Sequence, residues 1–146
     1  MKISKNKFLG MLVFLLISSI SISGQYKNVL ISRMSDFRNS VFTNADEGND
    51  FQQKEALRKT EEEWDKELNI VYQKIMKVAD PVTKNKLRNA QRAWIKFKYS
   101  EVEKSYYTNN PNGGSMGVLF SLNTNVKLLE QRTLELAEMY DRLTGK

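Results

Sequence analysis

Three stretches of the chain repeat apolar residues at steps of three, four and seven, the spacing that lines one face of a helix. In the first, Leu57, Trp64, Leu68, Val71, Ile75 and Val78 predict a helix over about residues 51–79. In the second, Leu87, Ala90, Trp94 and Phe97 share a stripe over about residues 81–106. The third carries Leu119, Leu122, Val126, Leu129, Leu136, Tyr140 and Leu143, starting near Ser115 or Met116. No run alternates with period two, so no strand is expected. Asp80-Pro81 separates the first two segments, because a residue before proline is pushed out of the helical region while proline itself suits a first turn. Asn109-Asn110-Pro111-Asn112-Gly113-Gly114-Ser115 separates the last two. Short connections make chain neighbours antiparallel, so the expected fold is all-α: an up-down-up antiparallel bundle of three long helices.

The ends add to this frame. Residues 1–24 read as a signal peptide: three lysines, then the apolar run from Phe8 to Ile17, then a small-polar stretch ending in Gly24. The apolar run is too short to span about 30 Å of hydrocarbon comfortably, so no lasting membrane anchor is expected after its removal. Residues 25–50 hold Leu30, Met34, Phe37 and Val41 at helical spacing, followed by a turn-rich linker. A short additional N-terminal helix is therefore expected there, with its docking left open. Residues 51–146 form the helical domain proper.

Charge changes the picture less than it first suggests. The 146-residue chain has 23 basic and 17 acidic residues, but without the three leader lysines its excess falls from +6 to +3. Nucleic acid is not expected as a partner. The remaining excess is local: seven basic side chains between Pro81 and Thr108 face only Glu101 and Glu103. The preceding segment carries an acidic block, Glu61-Glu62-Glu63 with Asp65 and Glu67. A basic face beside an acidic one within a bundle accounts for the split. Binding of an anionic polymer or lipid by the basic face is the sharper reading.

The chain has no cysteine and no histidine. Disulfides, thiol nucleophiles, Ser-His-Asp triads and His- or Cys-ligated metals are excluded, and no cofactor is expected. Asp65 and Glu101 could serve as acid–base groups, but no motif supplies a nucleophile or metal beside them, so no residue is assigned as catalytic. Trp64, Trp94 and Phe97 are expected in the core. Gln91, the i, i+4 pair Asp65 and Asn69, and Arg132 flank the apolar stripes, where an interhelical polar network is expected. Ser115 suits a cap on the last helix. The loop before it offers Tyr106, Tyr107, Asn110, Asn112 and Ser115 as candidate partner-binding residues, with tyrosines as rigid anchors and asparagines as adaptable contacts.

Four blocks occur in a distinctive order: Asp65-x-x-Leu68-Asn69-x-x-Tyr72, Leu87-x-x-Ala90-Gln91-x-Ala93-Trp94-Ile95-x-Phe97, Gly113-Gly114-Ser115, and Leu128 to Leu136 with Arg132. This order resembles the lysozyme-inhibitor LprI-like family of small exported helical domains, over about residues 55–139. The resemblance makes Asp65, Leu68, Asn69, Gln91, Trp94, Phe97 and Arg132 structural motif positions. It implies a non-enzymatic, periplasmic or secreted protein whose partner is another exported protein, such as a lysozyme-like hydrolase occluded at its cleft. A structural or assembly role in the cell envelope is the alternative. The family's two cysteine positions correspond here to Val102 and Thr124; their joint loss is what a disulfide between them in other members would produce.

Overall fold

The computed structural model describes residues 24–43, 45, 49–108 and 114–145. Four α-helices make up almost all of this, with no strand among the described residues: α1 (Gln25–Phe42), α2 (Asp50–Val78), α3 (Pro81–Thr108) and α4 (Ser115–Thr144). The expected leader, apart from Gly24, lies outside the described residues, as do Asn110 and Asn112. None of the helices is long and apolar enough to cross a membrane.

Each boundary has a local cause. The Asn49 side chain accepts the Phe51 and Gln52 amides, both at 3.1 Å, and so satisfies two of the orphan N–H groups that open α2. Asp80 does the same for α3, taking the amides of Val82 and Thr83. Ser115 is not the cap expected of it. Gly114 occupies that position with φ 91°, and Ser115 is already in the helix, its hydroxyl donating to Asp50 at the start of α2. Lys54 adds a hydrogen bond to the same Ser115 hydroxyl.

The core lies mainly between α2 and α4. Trp64, Leu68, Val71 and Ile75 from α2 meet Val126, Leu129, Leu136 and Ala137 from α4. The contacts Glu61–Asn125 and Trp64–Thr133 ascend together along both helices, so this central pair runs parallel. α3 runs antiparallel to α4, as Gln91–Arg132 and Tyr106–Gly114 show. At the loop end of that pair, Gly117 is required: a Cβ there would lie 2.9 Å from the Tyr106 ring.

α1 is part of this assembly. Leu30 and Met34 are buried in the core, and its first turn is held from across the chain. The Asp141 carboxylate, 1% exposed, accepts the amides of Tyr26 and Lys27, each at 3.0 Å. A buried anion against a helix N-terminus meets both the orphan donors and the positive end of the dipole. Farther along, the fully buried Glu67 of α2 ion-pairs with Arg33 of α1 at 2.5 Å.

Several stripe positions are corrected. Phe97 is 51% exposed, and Ala90, Val78 and Leu143 are exposed as well. The face of α3 that meets α4 runs instead through Leu87, Gln91, Trp94, Lys98, Val102 and Ser105, of which only Leu87 and Ser105 are fully buried. Both tracks satisfy steps of three and four. Apolarity favours the one ending in Phe97, whereas the bundle uses one with polar members at its edges.

Candidate functional site

α2 and α3 are consecutive in the chain, yet they leave a groove of about 420 Å³ between them. Its α2 wall is Asp65, Leu68, Asn69 and Tyr72; its α3 wall includes Arg88, Gln91, Trp94 and Lys98. Helical spacing produces this. Residues 65, 68, 69 and 72 share one flank of α2, and 88, 91, 95 and 98 share one flank of α3. The groove therefore gathers the polar and aromatic positions of two separate sequence blocks.

The expected interhelical network is present only in part. Arg132 of α4 donates from Nε to Gln91 Oε1 at 3.1 Å and also ion-pairs with Glu135. Gln91 is thus held from behind at Oε1, with no partner for its amide nitrogen among the described residues. Among the described residues, Asp65 and Asn69 bond only each other. They are exposed, and Asn69 donates to the Asp65 backbone carbonyl at 2.8 Å and to its carboxylate at 3.3 Å. Leu68 is buried beneath them, and Trp94 is half-buried, one edge on the core and the rest in the groove wall.

Charge in the groove is mostly positive. The Lys98 ammonium lies 5.8 Å from the Trp94 ring centroid and 5.2 Å from that of Tyr99, within cation–π range of both. Arg88 and Arg92 make no ion pair among the described residues, and Asp65 is the one acid in the lining. Nearby, burial pushes the Glu61 carboxyl above its ordinary range, while Lys98 pulls it back down. Its oxygen accepts from Asn125 at 2.7 Å.

Of the candidate loop residues, Tyr106, Tyr107 and Ser115 are among those described. Tyr106 is half-buried against Gly117, and its phenol oxygen accepts the Gly114 amide at 3.1 Å, so it holds the loop end in place. Tyr107 stacks edge-on against Tyr106 and is 58% exposed. Ser115 belongs to the Asp50–Lys54 contact. No group of three acidic residues able to hold a metal occurs among the described residues. Glu101 pairs with Lys104 on the surface.

A feature that periodicity missed is the outer face of α3. Val82, Phe97 and Tyr107 are exposed there, at 63%, 51% and 58%. A count of large side chains against the width of one stripe would have found it: α3 has more of them than a single buried face accommodates.

In comparisons with known proteins, the family model described as "Lysozyme inhibitor LprI" matches residues 43–136. The match takes in α2, α3 and most of α4 and omits α1. No curated protein and no solved structure matches the chain.

Proposed function

Because this chain belongs to the LprI lysozyme-inhibitor family, we propose that it is an exported, non-catalytic protein that occludes a lysozyme-type hydrolase, with residues 1–24 as its signal peptide and 25–146 as the working chain. The observation that carries the choice of surface is Phe97. It is a family-motif aromatic, yet it is 51% exposed on a helix with only two buried residues. A large aromatic that contributes little to its own core is the kind of side chain that anchors an interface.

The surroundings of Phe97 fit such a target. Lys104 lies seven residues on and Lys86 eleven residues back, so helical spacing sets both on the Phe97 flank. Glycosidases of this class carry paired carboxylates in the cleft, and an aromatic anchor between cations is complementary to that pair. Tyr107 extends the surface toward the end of α3. Occlusion of this kind buries on the order of 1,200–2,000 Å² in total. A net charge of +3 on the working chain gives no long-range steering toward a basic enzyme, so recognition rests on short-range contacts.

The direct test is a muramidase assay in which purified chain is titrated against lysozymes of different structural types. Stoichiometric loss of lytic activity with at least one type supports the reading. Full activity of every type at large excess of the chain would contradict it.

A further inference from the structure

The α2–α3 groove lies on the opposite flank of α3 from Phe97 and carries a chemistry of its own. Its volume, about 420 Å³, is in the range of small-molecule sites. Trp94 and Tyr72 give it aromatic surface. Beside them stand three planar hydrogen-bonding groups, Asp65, Asn69 and Gln91. Asp65 is acceptor-only when ionised, whereas the two amides both donate and accept. Gln91, held at Oε1 by Arg132, keeps two N–H donors for a ligand. Arg88 and Arg92, one helical turn apart on the groove wall, lack an acidic partner among the described residues.

We propose that this groove binds an acidic saccharide. A pyranose has an apolar C–H face and an edge of hydroxyls that each donate and accept. The aromatic wall takes the first, and the Asp65–Asn69–Gln91 set takes the second. A carboxylate substituent on the ring pairs with the guanidinium groups of Arg88 and Arg92, whose fork geometry suits it. With Lys98 added, the lining has three cations against one acid, so a neutral sugar leaves guanidinium charge unmatched. An acidic peptide suits the cations but lacks the paired donor–acceptor hydroxyls the planar groups address.

The test is a titration of the purified chain followed by ¹⁵N NMR, reading the Trp94 indole N–H, assigned with Trp94→Phe, and the Asn69 and Gln91 side-chain amides. The probes are glucuronic acid and N-acetylmuramic acid as carboxylated pyranoses, N-acetylglucosamine as a neutral one, and a glutamate dipeptide. At least one carboxylated pyranose should shift the three groove signals saturably, while the indole of the buried Trp64 stays still. N-acetylglucosamine should bind at least about tenfold more weakly. Arg92→Gln, at an exposed position, should weaken the acid about tenfold, the loss of roughly one charge-assisted hydrogen bond, with unfolding unchanged. Absence of saturable shifts with both acids, binding indifferent to Arg92→Gln, or equally tight binding of the dipeptide would overturn the proposal. Phe97→Ala should leave sugar binding intact, so failure here and failure of hydrolase inhibition are separate results.

Discussion

α2 and α3 are nearly the same length, 29 and 28 residues, yet eight residues of α2 are fully buried and only two of α3. α2 is enclosed by α1 on one side and α4 on another, whereas α3 rests almost entirely on α4. The distinctive Ala90-Gln91-x-Ala93-Trp94-Ile95-x-Phe97 block lies on the less buried helix. The contrast teaches that a motif dense in large aromatics is not thereby a core motif. Here the core is built by α2 and α4, and α3 spends its aromatic residues on a groove and an outer face.

The two tryptophans break or sharpen that contrast most strongly. Trp64, 5% exposed on α2, should cost about 3–5 kcal/mol of stability when truncated to alanine, as large aromatic deletions in cores do. Trp94→Ala should cost no more than about 2 kcal/mol, since only part of its surface leaves water on folding. Chemical denaturation of both variants checks the ranking. Equal losses would place α3 in the core on the same terms as α2.

Tethering α3 to its main support should have the next largest effect. The register set by Gln91–Arg132 and Tyr106–Gly117 brings Val102 within about one turn of the level of Thr124, and both are half-buried. Val102→Cys with Thr124→Cys should oxidise to a disulfide and raise stability by about 3 kcal/mol, the chain-entropy value for a loop near 20 residues. Failure to close under oxidising conditions would remove the correspondence with the family's cysteine positions.

On the enclosed side, Asp141→Ala leaves two α1 amides without their acceptor. A loss of about 1–2 kcal/mol is expected, with faster amide exchange concentrated in the first turn of α1. Exchange that quickens evenly across all four helices would contradict a local role.

The smallest effect is one of pH. The folded Glu61 carboxyl holds its proton to higher pH than an unfolded one, because burial disfavours its charge. Between the ordinary and the raised value the folded chain binds more protons, so this group's contribution falls as pH rises through that window. Glu61→Gln, which retains an acceptor for Asn125, should abolish this component. Asp80 acts in the opposite sense: its carboxyl is held low mainly by the Thr83 hydroxyl, so its cap on α3 is lost as pH falls through that lowered value. Thermal melts of the Glu61 variant and the parent across mildly acid pH separate the two.

Much of the fold was legible in the chain itself, for reasons tied to particular residues. Pro81 and the Asn-Gly-rich loop set helix ends to within about two residues of those observed. The docking of α1 was not legible, because its anchor, Asp141, lies 115 positions away from Tyr26 and looks like any surface acid on α4. The up-down-up order already makes α2 and α4 parallel, but it does not say that this pair, and not α2 with α3, builds the core. For the site, Asp65, Asn69 and Gln91 stood out only as members of an expected interhelical network and Trp94 only as core, while binding was expected at the loop. The meeting of these residues in an open groove depends on the separation of α2 from α3, which periodicity does not encode. Phe97 was misplaced because two tracks on α3 share the same spacing and the more apolar one is the wrong one.

The division of labour between the buried helices and α3 is tested most directly by Phe97→Ala, measured for unfolding and for hydrolase inhibition in the same preparation. Stability within about 0.5 kcal/mol of the parent, with inhibition weakened by about thirtyfold or more as for loss of an aromatic anchor, is the expected pair of results. A variant that unfolds easily, or one that inhibits as well as the parent, would contradict the assignment of Phe97 to a working surface.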